Sequence, residues 1–209
     1  MELLNEEEIF DAYLNKAISE ANSLATQIEE CSRCELSQNS KPLPGAGYPL
    51  ADFFLLKAQV SQLEYEAGVA FAGASVEVLK KAFERLNVDI SHVYGANVIK
   101  CYRETGEIDK NIIRACLRYL KAEIEICRPR VILAMGSVPC LALKMMGISQ
   151  EGIDYQPGSM VALRPDLQLV ITCDLEQALG EENMKRRFWK DLQRAKGIID
   201  KELAKEQDS

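Results

Sequence analysis

Thiols are the residues of this chain whose spacing most plainly asks for chemistry. Cys31 and Cys34 form a C-x2-C pair, and far downstream Cys101 and Cys116 form a C-x14-C pair flanking a polar loop. Four thiolates drawn from distant segments suit either a structural zinc ion or a [4Fe–4S] cluster, and spacing alone does not separate the two. The other three cysteines, Cys127, Cys140 and Cys173, lie in apolar surroundings and read as small core residues. The only histidine, His92, stands at the start of a strand and reads as a partly exposed strand-entry residue. A strand end that carries an amide, Asn97, and then a thiol, Cys101, is a candidate site in its own right.

The elements that must position these groups follow from the hydrophobic pattern. An imperfect apolar stripe (Ile9, Tyr13, Ala17, Leu24, Ile28) predicts an acidic helix over about 5–30 that leads straight into Cys31. The Pro- and Gly-rich stretch that follows, with Gly45 and Gly47, predicts a loop. Four continuous apolar runs of strand length follow: 51–56, 93–99, 131–135 and 167–172. Such runs mark strands buried on both faces. Between them, helices are expected at 76–86, 109–127 (with Asp109 as N-cap) and 138–146, and a terminal helix at 181–205. Residues 57–75 read as a long connection and 148–164 as irregular. Strands alternating with helices imply an α/β fold: a three-layer α/β/α arrangement around a central, mostly parallel four-stranded sheet. Functional residues of such sheets collect at the C-terminal strand ends, here Leu56-Lys57, Asn97 to Cys101, Met135-Gly136 and Thr172 to Glu176. The expected organisation is an acidic helical extension at 1–30, one domain at 31–197 carrying the thiols, and a charged tail at 198–209.

Bulk properties narrow the function classes. No apolar run is long enough to span a bilayer, and the acidic start MELLNEEEIF is unlike a secretory signal, so a cytoplasmic monomer is expected, with no membrane partner. Seven cysteines in that compartment argue against a disulfide framework. A net charge of −7 argues against a generic nucleic-acid binder, although Lys185-Arg186-Arg187-Phe188-Trp189-Lys190 provides a locally basic face.

Several motifs in order, Cys31-x2-Cys34-x-Leu36, PGAG at 44–47, GVAFAG at 68–73, YGANVIKC at 94–101, Cys116-x2-Tyr119-Leu120 and RPRVILAMG at 128–136, resemble the iron–sulfur uracil-DNA glycosylases, family 4 of their superfamily. The likeness covers about residues 31–195. It implies a uracil-DNA glycosylase-like fold and a [4Fe–4S] cluster on Cys31, Cys34, Cys101 and Cys116, and makes zinc the lesser alternative. It also implies that Phe71 stacks on an extruded base and Asn97 reads its edge. Both roles make physical sense, because a base out of the duplex needs an aromatic face and a donor–acceptor pair. Arg186 and Arg187, on the corresponding helix, are expected to contact DNA phosphates.

Two stretches depart from the family pattern at the positions that carry its chemistry. Where the family has a G-E-A-P-G loop, this chain has Leu56-Lys57-Ala58-Gln59-Val60; where it has histidine-proline-serine, this chain has Asp174-Leu175-Glu176. The charges are exchanged: Lys57 replaces a carboxylate and Asp174 replaces a histidine. An ion pair between Lys57 and Asp174 across the pocket mouth is therefore expected, with Lys57 as an amine nucleophile or Asp174 as a sugar-cation stabiliser as the bolder reading. Three functions compete: a protein that binds DNA, single-stranded nucleic acid or an extruded base with its catalytic centre lost or altered; an active DNA glycosylase of base-excision repair with unusual catalytic residues; and a cluster-stabilised scaffold or redox protein with a vestigial pocket.

Overall fold

The computed structural model describes residues 5–104, 106, 108–149 and 152–207. The end of the acidic tail and parts of the expected loops at 105–107 and 150–151 lie outside the described residues. In chain order the elements are α1 (Glu6–Glu29), α2 (Leu36–Asn39), β1 (Ala46–Gly47), β2 (Phe53–Val60), α3 (Gln62–Ala67), α4 (Ala74–Arg85), a 3-10 turn at Ile90–His92, β3 (Val93–Tyr102), α5 (Lys110–Cys127), β4 (Val131–Met135), α6 (Ser137–Met146), β5 (Met160–Arg164), β6 (Leu167–Thr172), α7 (Leu175–Gly180) and α8 (Glu182–Gln207).

The sheet has six strands in the order β1-β3-β2-β4-β6-β5. Its centre is the expected parallel set of four, with β2 pairing both β3 and β4, and β4 pairing β6. Two short antiparallel edges add to it: β1 on β3 and β5 on β6. The expectation of four strands is corrected accordingly, and residues 160–164 are not irregular but an edge strand. That strand carries a short apolar run, Met160 to Leu163, but only Leu163 in it is buried, as befits a sheet edge.

Alternation along the strands divides the core into two layers. Phe54, Leu56, Ala96, Val98, Ile132 and Ala134 face α5 and α6. Phe53, Leu55, Val93, Val131 and Leu133 face α4, α7 and α8, whose Leu79, Leu175 and Leu192 complete that layer. The long first helix lies outside α5 and packs on it through Leu24, Ile28 and Tyr119. Asp109 caps α5 by accepting from the Asn111 N–H, as its sequence position predicts. The terminal helix runs unbroken past residue 197, and Ile199 is still buried within it. Among the described residues no helix is long and apolar enough to cross a membrane.

Candidate functional site at the strand ends

Strand β3 organises the site. Gly95 and Asn97 lie on one face of it, and Asn97 stands in register with Lys57 of β2. Phe71, after α3, adopts a left-handed backbone (φ 57°), uncommon for a non-glycine residue. Its ring lies against Gly95 so closely that a Cβ there would sit 2.6 Å from the ring. Phe71 and Asn97 are thus brought to the same end of the sheet, as the motifs imply.

The residue that joins them is one the sequence reading overlooked, Glu64. Its carboxylate is wholly buried. One oxygen accepts from Lys57 Nζ at 2.5 Å and the Ser61 N–H at 2.7 Å. The other accepts from the Phe71 N–H at 2.5 Å and Asn97 Nδ2 at 3.3 Å. Burial pushes this carboxyl up, but the Lys57 charge, with hydrogen bonds from Lys57, Ser61 and Phe71, outweighs it and holds the group below its ordinary value. The Lys57 ammonium also lies 5.7 Å from the centroid of the Phe71 ring, over its face. A sequence signal for Glu64 existed: Ser61-Gln62-Leu63-Glu64 is a capping box, and both of its bonds form at the start of α3. Residues 57–75 are therefore not a plain connection.

The expected Lys57–Asp174 pair is not formed. Strands β2 and β6 are separated by β4, which puts their ends about 10 Å apart. Lys57 is taken by Glu64, and Asp174 caps α7, its Oδ1 accepting from the N–H groups of Glu176 (2.9 Å) and Gln177 (3.4 Å). Asp174 Oδ2 has no hydrogen-bond partner among the described residues, and the side chain is half-buried beside Gly136 at the end of β4. His92 is exposed at the far end of β3, its ring 5.3 Å from that of Tyr48.

The four paired thiols come from the link between α1 and α2 (Cys31 and Cys34), from β3 (Cys101) and from α5 (Cys116). The chain after Cys34 is pinned onto the end of β3: Tyr102 N–H donates to Ser40 Oγ at 2.9 Å, and Leu43 N–H to the Lys100 carbonyl at 2.7 Å. The thiols sense one another. Burial pushes Cys101 up to about 12, with further contributions from Cys116, Cys34 and Cys31. Cys116 is raised by burial too, against the lowering effect of the Lys100 N–H and charge. No three His, Cys, Asp or Glu side chains among the described residues form a preorganised single-ion site. Lys100 itself is buried on the opposite sheet face, where it pairs with Glu123, which also accepts from the Gly45 N–H at 2.8 Å.

On α8, Arg186 and Arg187 line an open cleft of about 520 Å³ together with Lys190, Arg194 and Asp191. Arg186 is tied to Glu182 at 3.4 Å, and Arg194 to Asp191 at 3.0 Å. Arg187 is close enough to Tyr155 to influence it, and Tyr155 in turn senses Cys173 and Asp174. The basic face of α8 therefore borders the end of β6 at which Asp174 stands.

Comparison with known proteins agrees with this geometry. Residues 57–193 match the family model described as the uracil DNA glycosylase superfamily. The chain is 30% identical over 171 residues to a type-4 uracil-DNA glycosylase of Pyrobaculum aerophilum, covering 79% of this chain and 87% of that protein. It is 29% identical over 113 residues to one from Sulfurisphaera tokodaii (53% of this chain, 51% of the relative) and 27% identical over 134 residues to one from Saccharolobus solfataricus (62% of each). The motifs, the sheet with its strand-end site and these likenesses agree: the chain belongs to the uracil-DNA glycosylase superfamily, and within it to family 4.

Proposed function

We propose that this protein binds DNA and an extruded base through Phe71 and Asn97, carries a [4Fe–4S] cluster on Cys31, Cys34, Cys101 and Cys116, and has an altered catalytic centre. The observation that carries the proposal is the Lys57–Glu64 pair, a 2.5 Å contact that puts an ion pair in the stretch that replaces the family's G-E-A-P-G loop. Cleaving an N-glycosidic bond builds positive charge on the sugar and negative charge on the departing base. A carboxylate whose acceptor positions are filled by four donors has no capacity left to orient a water.

An all-thiol donor set of two half-buried and two buried cysteines suits iron and sulfide, and the resident cluster would tie α1, β3 and α5 together. This staple would fix the end of β3 and with it Asn97, four residues before Cys101. Arg187 and Lys190 would meet phosphates next to the pocket. The decisive experiment is anaerobic purification, with iron and sulfide analysis and a visible spectrum, followed on the same sample by DNA binding and a base-release assay on uracil-containing single strands. The expected result is iron with sulfide, salt-dependent DNA binding and no free uracil. Zinc at full occupancy without iron would overturn the cluster, and rapid uracil release would overturn the altered centre.

One observation favours a second reading, an active glycosylase. Asp174 Oδ2 has no partner among the described residues and stands at the crevice end of β6, where a carboxylate could stabilise a sugar cation. If base is released, Asp174→Asn should abolish the release.

A further inference from the structure

Away from the strand-end site, each side of the sheet carries an apolar surface that nothing covers among the described residues. The first is the start of α1. Leu24 and Ile28 seat the far half of that helix on α5, and the Tyr13 ring lies 5.4 Å from the guanidinium of Arg128, the C-cap of α5. The turns before Tyr13 therefore overhang the end of α5, by about 10 Å at 1.5 Å per residue. The apolar stripe runs on along them. Ile9 and Phe10, four and three residues before Tyr13, share its face and are 55% and 52% exposed. Glu7, Glu8 and Asp11 occupy the other side of these turns, and no lysine or arginine precedes Lys16.

The second surface is a groove of about 590 Å³ between α4, α7 and α8. Val78, Leu175, Leu179 and Trp189 supply its apolar lining, and Val78 and Leu179 are exposed. Lys81, Arg85, Lys185, Arg186 and Lys190 also line it, against one acid, Glu182, which is tied to Arg186 at 3.4 Å. On a chain of net charge −7 that is a local reversal of sign.

We infer that the overhang of α1 docks in the α4–α8 groove of a second copy of this chain. Apolar anchors at Ile9, Phe10 and Tyr13, flanked by acids, match an apolar groove edged by cations. The groove's occupant has to come from another molecule. Helix α1 lies outside α5 on one side of the sheet, and α4, α7 and α8 cover the other side, so the overhang does not reach its own groove. Pairing two overhangs with each other is disfavoured, because it sets Glu7, Glu8 and Asp11 of one copy against the same acids of the other. Each copy carries both surfaces, so two such contacts close a two-fold dimer. This contact goes beyond the proposed function and uses neither Phe71 nor Asn97; it replaces the monomer expected from sequence with a weak dimer.

Sedimentation velocity on the full chain, with Trp189 emission recorded on the same samples, tests the contact. Trp189 is the only tryptophan, so its emission reports on the groove. Between about 1 and about 200 µM protein at low salt, mass should rise from monomer toward dimer with a dissociation constant on the order of 10 µM, as befits a small contact. Over the same range the emission should shift to the blue as the ring loses water. Raising salt to about 500 mM should weaken association roughly tenfold by screening the charges. Ile9→Gln/Phe10→Gln and Lys81→Glu/Arg85→Glu, all at exposed positions, should each weaken it roughly tenfold or more. An equimolar mixture of the two variants should associate more tightly than either alone, because the intact overhang of one meets the intact groove of the other. A wild type that stays monomeric at about 200 µM overturns the inference. So does a dimer that leaves Trp189 emission unchanged, one that survives Lys81→Glu/Arg85→Glu, or a mixture that associates no better than its components.

Discussion

Breaking the Lys57–Glu64 pair from either side should be costly, and breaking it from both sides should cost little more. Lys57→Met leaves a fully buried carboxylate with three N–H donors and no cation. Unpairing a buried ion costs about 3–5 kcal/mol, and the retained N–H bonds put this variant near the lower end, about 3. Glu64→Ala strands the Phe71 N–H and Asn97 Nδ2, at about 1–3 kcal/mol each, while Lys57, whose side chain is 13% exposed, can turn toward water. That sums to about 4 kcal/mol. In the double variant the carboxylate is no longer stranded, so the total should be about 4–5 rather than about 7 kcal/mol, a coupling of about 2–3. For a chain of this size each 1 kcal/mol moves Tm by about 2–4 °C, so the single variants should melt roughly 10 °C early. Urea unfolding at neutral pH measures all four corners of the cycle. Additivity of the two single changes within about 0.5 kcal/mol would refute the coupling and, with it, the role assigned to the pair.

The pair also sets a direction for pH. The folded-state value of Glu64 lies below its ordinary 4.5, so its stabilisation is present above 4.5 and is lost as pH falls through the folded value. In Lys57→Met the chief lowering influence is gone and burial remains, so the folded value moves up and the acid loss due to Glu64 shrinks; the stability gap between wild type and variant should narrow as pH falls below 4.5. A gap that stays constant there would contradict this.

Other expectations are independent of that cycle. Gly95→Ala puts a Cβ 2.6 Å from the Phe71 ring, whose backbone is already left-handed; overpacking of this kind costs about 1–3 kcal/mol, read by urea unfolding, and should weaken any base binding more than overall DNA binding. Arg187→Ala should lower the slope of log affinity against log salt by roughly 0.7 on single-stranded DNA, whereas Lys16→Ala, on the exposed outer side of α1, should leave the slope unchanged. Asp191, buried and with Oδ2 unpartnered among the described residues, has its carboxyl pushed up by burial against the opposing pull of Thr172 and the Arg194 charge. A raised folded value means that this group adds stability as pH falls from neutral toward 3.8, so Asp191→Asn should flatten the profile there, as thermal unfolding across that range would record. Phe83→Ala, which removes a buried ring packed edge-on against Phe53 at 5.2 Å, should cost about 3–5 kcal/mol.

Legibility from sequence followed burial. The four central strands are buried on both faces, and their apolar runs announce them; 131–135 and 167–172 match β4 and β6 residue for residue. The edges are harder to read: β1 is two residues long, and the four apolar residues of β5, Met160 to Leu163, are only partly buried and follow a Pro- and Gly-containing stretch. Helix α3 was hidden for a related reason. Its one buried residue is a carboxylate, so periodicity of apolar residues cannot find it, and only the Ser61–Glu64 capping box could. The roles expected of the thiols, Phe71 and Asn97 rest on the family motifs, and the structure adds that Glu64 joins Phe71 and Asn97. The partner of Lys57 was not legible, because two charged residues at strand ends were matched without the sheet order that puts β4 between them.

The exchange of charge at position 57 has a structural consequence that runs through the whole pocket. An ammonium within β2, mostly enclosed, demands a nearby anion, because desolvating it alone is prohibitive. The nearest element able to supply one is the turn of helix that follows, and α3 supplies Glu64 seven residues on, oriented by the capping box at Ser61. Once buried, that carboxylate must satisfy its own acceptors, and the donors within reach are the Phe71 N–H and the Asn97 amide. Lys57, Glu64, Phe71 and Asn97 are therefore one hydrogen-bonded unit. Reversal should accordingly need both positions: restoring a carboxylate at 57 while Glu64 remains would set two buried acids side by side, and Lys57→Glu alone should destabilise the fold more than Lys57→Glu/Glu64→Ala. Equal unfolding midpoints for those two variants would show that Glu64 is not held in place by the charge at 57.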